Sequence, residues 1–179
     1  MIGMNICHSP RKPVMDEKLV PRLMDRESVV QAFPLVRDLL PSVTLEQWTR
    51  FARPLLNAHS GKCPRGLMTI QNSASYILAL FAFEVRESLT ETRALWIDNI
   101  IVPNIPGRDM IWEAVTDAAD YLARMNSCRT IRAGFADDLG SADSERLWAR
   151  LSFERAGYSL DGVQAFKRLS LGPTSSQNH

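Results

Sequence analysis

A chain of 179 residues with 45% hydrophobic and 23% charged side chains has room for one substantial core and the balance of an ordinary globular protein. A formal net charge of +1 leaves no surplus to hold a nucleic acid or an anionic membrane as the main partner. No apolar run reaches the length of a membrane span, and the first residues make no convincing signal peptide. Cys7, Cys63 and Cys128 are an odd, scattered set without metal-ligand spacing, as expected of free thiols in a reducing cytoplasm.

Residues 1–17 mix Pro10, Arg11, Lys12 and Pro13 with little periodicity and read as a flexible segment. Lys18 to Met24 reads as a first strand, with Pro21 pointing to a sheet edge. Asp25 is a suitable N-cap for a helix carrying Val29, Val30, Phe33, Val36, Leu39 and Leu40, which Pro34 should kink or split. Thr44 and Gln47 form a capping box ahead of a second helix with Leu45, Trp48, Phe51, Ala52 and Leu55 on one face. After the polar connection 57–66, Leu67 to Gln71 and Tyr76 to Val85 read as two strands joined by a turn at Asn72 to Ser75. Arg86 to Arg93 is a charged link.

Ala94 to Val102 is a run rich in β-branched and aromatic residues, stopped by Pro103, and reads as a buried strand. Two prolines and a glycine then forbid further sheet. From about Arg108 to Met125, apolar residues recur at helical spacing. A helix beginning beside a strand end points free N–H groups and the positive end of its dipole into one crevice, which suits an anion. Cys128 to Phe135 predicts a parallel fifth strand. Beyond an acidic loop at 137–143, Ser144 to Ala156 predicts a short helix ended by Gly157. A last hairpin around Asp161-Gly162 follows, and 172–179 reads as a disordered tail.

The stretch from Val102 to Ile111 (Val-Pro-Asn-Ile-Pro-Gly-Arg-Asp-Met-Ile), coming after Trp96-Ile-Asp-Asn-Ile100, resembles the acyl-CoA-binding core of the GNAT superfamily of N-acyltransferases. In that family a strand ending in Val-x-Pro enters an Arg/Gln-x-x-Gly-x-Gly/Ala loop, whose amides hold the coenzyme A pyrophosphate. The resemblance lies in layout: Pro106 stands at the first Arg or Gln position, Asp109 at the first Gly and Ile111 at the second. It extends over about Leu19 to Leu169 and implies a GNAT-like domain at 18–171. The implied fold is α/β, a mixed, centrally splayed sheet with helices on both faces. The two helices after the first strand would border the acceptor side.

The resemblance further implies acetyl-CoA (acyl-CoA) as co-substrate and direct attack by an amine on its thioester. Backbone N–H groups of Ile100, Ile101 and Val102 would serve the carbonyl and the pantetheine. Gly107, Arg108, Asp109, Met110 and Ile111 would meet the pyrophosphate, where Asp109 brings a negative charge and a Cβ. The family's usual acid, a tyrosine on the late helix, is replaced by Phe153, which cannot donate a proton.

For the base, Asp98, Glu84 and Glu87 are the carboxylates at hand. Asp98 is expected to be buried in its strand, which would move it towards a useful range. The implied partner is a small-molecule or peptide amine, with no nucleic acid, membrane or metal, and a homodimer is compatible. The alternative is a non-catalytic member of the same fold that binds acyl-CoA or another ligand. The histidines at 8, 59 and 179 read as surface residues, Arg129 and Arg132 as solvated, and the tryptophans as core apart from Trp112 at a helix edge.

Overall fold

The computed structural model of the chain describes residues 18–58, 61–87, 93–134, 143–161 and 164–169. The expected flexible segment, the polar tail, most of the acidic loop and the three histidines lie outside the described residues. The strands are β1 (Val20–Leu23), β2 (Arg65–Gln71), β3 (Ile77–Arg86), β4 (Ala94–Ile101), β5 (Thr130–Gly134), β6 (Ser159–Asp161) and β7 (Gln164–Arg168). The helices are α1 (Arg26–Leu39), α2 (Leu45–Ala52), α3 (Arg108–Met125) and α4 (Asp143–Arg155). The strands form one sheet in the order β1-β2-β3-β4-β5-β7-β6, antiparallel throughout except between β4 and β5. Among the described residues no helix is long and apolar enough to cross a membrane, and no cluster could hold a metal ion.

Local chemistry fixes the helix ends. Asp25 accepts from the Ser28 amide at 2.8 Å, and these bonds hold its carboxyl below the usual range. Thr44 and Gln47 exchange both capping-box bonds, at 3.2 and 2.8 Å. Contrary to expectation, Pro34 does not split α1. The carbonyl it leaves without an amide belongs to Val30. Both residues are exposed, Val30 at 61%, so water can satisfy that oxygen and no apolar burial is lost there. At the other end of the chain, Gly157 takes φ +83°, the Tyr158 amide reaches the Phe153 carbonyl at 3.0 Å, and the Gly157 amide reaches Glu154 at 2.9 Å. This Schellman pattern ends α4 and lays the Tyr158 ring against Phe153, with centroids 4.9 Å apart.

Two apolar layers enclose the sheet. On one side Ile111, Val115, Ala118, Ala119 and Leu122 of α3, with Ala149 and Phe153 of α4, cover Phe81, Phe83, Val85, Leu95, Ile97 and Ile131. On the other, Val29, Ala32 and Val36 of α1 and Trp48 and Ala52 of α2 cover Leu67, Leu80, Ala82 and Ile101. Each fully buried aliphatic side chain stabilises the fold by roughly 1.5–3 kcal/mol before entropy is counted. The strands therefore alternate between two cores, and the mid-strand residues of β3 and β4 belong to one face or the other by parity. That parity is broken at the start of β3, where Leu78 and Ala79 face one core, and again in β4.

Candidate functional site

Ala82 of β3 pairs with Asp98 and Leu80 pairs with Ile101, so β4 carries one residue more than β3 over this interval. The extra residue is taken up by a bulge in which Asn99 sits at φ +49°. Asparagine tolerates this left-handed conformation better than most residues. Ile97 and Ile100 pack in the α3 core and Ile101 in the α1–α2 core, while Asn99 lines a cavity beneath α1 and α2. The bulge thus turns Asp98 and Asn99 both to the α1–α2 side. The Asn99 Nδ2 donates to Asp98 Oδ1 at 2.8 Å.

Asp98 is exposed, which corrects the expectation of a buried mid-strand carboxylate. The burial argument fails because α1 and α2 cover Leu80 and Ile101 but stop short of it. Glu84 faces the same side, two residues along β3 from Ala82, and is held by Arg86 at 2.7 Å. Glu87 is exposed and lies 3.5 Å from Arg93, which also donates to the Lys62 carbonyl at 2.7 Å. Among the three candidate bases, the structure places Asp98 beside a cavity-lining residue.

The β4–β5 ladder ends at Ile97–Ala133, although β4 runs on to Ile101. Gly134 turns its pairing to Gln164 of β7. A Cβ built at Gly134 would stand 3.9 Å from the Asp98 Cβ, so this end of β5 lies directly beside Asp98. Among the described residues, Asp98 to Ile101 have no β5 partner. Ile100 and Ile101 are half-buried and buried, and Val102 is 8% exposed.

The loop into α3 is built on a tight turn. The Arg108 amide donates to the Ile105 carbonyl at 3.2 Å, with Pro106 and Gly107 (φ +83°, ψ +8°) as central residues, the pattern of a type II turn. Only glycine takes the second position without strain. The Met110 amide donates to the Gly107 carbonyl at 3.0 Å. Arg108 and Met110 have therefore spent their amides within the turn, and Pro106 has none. The Ile111 side chain is buried in the α3 core, whereas Asp109 and Met110 are exposed. The Arg108 side chain bonds Asn104 Oδ1 at 2.7 Å and stacks on Trp148 of α4, 4.1 Å from the ring centroid.

Asp109 begins an acidic strip that continues through Glu113, Asp117 and Asp120 along α3. The strip walls a surface cavity of about 370 Å³, closed on its far side by Ser152, Arg155 and Lys167. At its inner end Asp120 accepts from Lys167 at 2.7 Å and from the Tyr158 hydroxyl at 3.2 Å. Phe153 is fully buried between Trp112 and Tyr158, edge-on to each. Trp112 is core, not helix edge, because it falls on the inward arc of α3 with Ile111 and Val115. Trp96 and Trp148 are only half-buried and carry guanidinium groups: Arg86 and Arg132 lie 4.7 and 5.5 Å from the Trp96 ring. Arg132 is thus not simply solvated.

Sequence reading did not single out the cavity under α1 and α2. Val36 and Leu40 of α1, Val43 of the connecting turn, and Gln47, Trp48 and Phe51 of α2 form its walls, and Leu80, Asn99 and Ile101 its floor. Its volume is about 280 Å³. The available signal was Asn99, a strong turn former inside an apolar strand.

No protein-family model matches the sequence, and no curated protein matches it. Solved structures do. An aminoglycoside N-acetyltransferase in complex with CoA superposes with a TM-score of 0.63 at 11% identity, covering 93% of this chain and 99% of its own. A second aminoglycoside acetyltransferase, bound to coenzyme A and kanamycin, gives 0.62 at 13% identity over 84% and 95%. A GCN5-related glucosamine N-acetyltransferase region of a fungal multi-domain β-N-acetylglucosaminidase gives 0.62 at 12% identity over 83% of this chain, which spans 18% of that longer one. This chain, a seven-stranded mixed sheet flanked by helices, has the fold of these GCN5-related N-acetyltransferases.

Proposed function

We propose that the protein is an N-acyltransferase that moves an acetyl group from acetyl-CoA to an amine by direct attack. One observation carries the reading: the β4 bulge presents Asp98 beside an acceptor-sized cavity at the point where β4 parts from β5. The likeness to acetyltransferases with CoA bound supports the choice of donor.

The free edge of β4 at Ile100 to Val102 would take the amide groups of the pantetheine arm and polarise the thioester carbonyl. The turn at Gly107, the start of α3 and the Arg108 guanidinium would meet the diphosphate. Asp98 accepts a proton from the incoming ammonium, which frees the nitrogen lone pair. The C–N bond forms, the nitrogen gives up its second proton to water as the C–S bond breaks, and the departing thiolate takes a proton from water, since Phe153 offers none.

A second reading is a binding protein without turnover, favoured by Pro106, Asp109 and the sealed Phe153. Thiol release from acetyl-CoA over an amine panel, alongside thermal shift with CoA, separates the two. Transfer that falls about 10²- to 10⁴-fold in Asp98→Asn, with Glu84→Gln close to wild type, is the expected result. Stabilisation by CoA without thiol release from any amine would establish the second reading.

A further inference from the structure

The cavity under α1 and α2 carries information about the acceptor, and its chemistry is specific. None of its lining residues is ionisable. Most of its polar atoms are engaged, leaving the Gln47 Nε2 and the Asn99 Oδ1 of two uncharged amides. The Trp48 indole N–H donates to the Val29 carbonyl at 2.7 Å, Gln47 Oε1 accepts from the Thr44 amide, and Asn99 Nδ2 donates to Asp98. Leu40, Val43, Phe51 and Leu80 leave an apolar interior. A second ammonium in it would meet no carboxylate, and a ring of hydroxyls would find only two amides among apolar walls, which costs affinity. A single carboxylate stands at one end, outside the cavity, where Asp98 meets Asn99.

We infer that the ligand of this cavity is a primary monoamine with an apolar body, its nitrogen at Asp98 and its body among Leu40, Val43 and Phe51. Its role as acceptor rests on the acyltransferase reading above. A volume of about 280 Å³ is nearly twice the roughly 150 Å³ apolar cavity that admits a benzene ring, so an aryl group on a short alkyl chain fits. Polyamines and amino sugars do not suit these walls. The site therefore differs in substrate class from those of the spermidine and aminoglycoside acetyltransferases that share the fold.

The test is calorimetric titration of the full chain with 4-phenylbutylamine, tryptamine, spermidine and kanamycin, with thiol release from acetyl-CoA and octanoyl-CoA measured in parallel. Phenylbutylamine should bind at least about tenfold more tightly than spermidine or kanamycin. Val43→Phe, which fills the cavity from the turn, should weaken phenylbutylamine by about tenfold or more. Gln47→Glu keeps the capping pattern and places a carboxylate in the wall, so it should narrow the gap by raising spermidine affinity. That variant sustains the test if Val43→Phe does not fold.

Phenylbutylamine that binds in a Val43-dependent way without any thiol release upholds the ligand class and removes the enzyme reading. Several results overturn the inference: no binding of either aromatic amine, a wild-type preference for spermidine or kanamycin, or phenylbutylamine affinity untouched in a folded Val43→Phe. Loss of octanoyl transfer alone in that variant would assign the cavity to an acyl chain and overturn it equally.

Discussion

Arg108 and Trp148 meet across the mouth of the loop crevice, guanidinium over indole at 4.1 Å, and tie the first residue of α3 to the middle of α4. A cation facing a half-buried indole is worth roughly 0.5–2 kcal/mol. Arg108→Ala and Trp148→Leu should therefore show a coupling of that size in a double-mutant cycle read by urea midpoints. Simple additivity of the two changes would mean the stack contributes nothing.

Asp109 stands in the first turn of α3, where a negative charge favours the helix dipole but opposes a bound diphosphate. Asp109→Asn should lower stability by about 0.3–1 kcal/mol. The same change should tighten CoA binding, measured by titration at low salt. Equal CoA affinity in the variant would place the diphosphate away from this turn.

Tyr158 offers a pH prediction. Burial, reinforced by the neighbouring Asp120 charge, pushes its phenol well above the ordinary value near 10. In the unfolded chain the phenol ionises at about pH 10, while in the folded protein it keeps its proton. The folded state then binds more protons, so stability falls as pH rises past that point. Tyr158→Phe should lose about 1 kcal/mol at neutral pH, the net value of one hydrogen bond to Asp120. It should also lose part of the alkaline decline. Parallel stability curves for the two proteins from pH 7 to 11 would contradict this account.

Phe153→Tyr would add a hydroxyl at a ring with no exposed surface. The added oxygen enters a close-packed site between Trp112 and Tyr158. A destabilisation of about 1–3 kcal/mol is expected, with no gain in thiol release. A rise in transfer at unchanged stability would show that the hydroxyl finds open space after all.

Much of this fold was legible in the residues. The bounds of α3 follow from long helical periodicity behind Pro106-Gly107, and the starts of α1 and α2 from Asp25 and Thr44. The bulge was not legible, because a run such as Trp96 to Ile101 is read with strict alternation, and one extra residue moves Asn99 to the opposite face. Hydrophobic spacing also says that Leu40, Val43 and Phe51 turn inward without saying whether the space they face is filled. The pairings of Arg108 with Trp148 and of Tyr158 with Asp120 join segments distant in sequence, and no local pattern announces them.

The four residue pairs between β4 and β5 are the one parallel ladder among the described strands, and they bear on the order of assembly. From β1 to β4 each strand pairs antiparallel with its predecessor, so during synthesis every strand finds its partner already made. The pairing of β5 with β4 must wait for α3 to emerge and return the chain across the sheet, a non-local closure that is slow compared with hairpin formation. The seam where β4 and β5 part therefore forms after the β2–β3 and β3–β4 seams. Hydrogen exchange during refolding should find protection at Ala94 to Ile97 on the β5 side arriving after protection between β2 and β3.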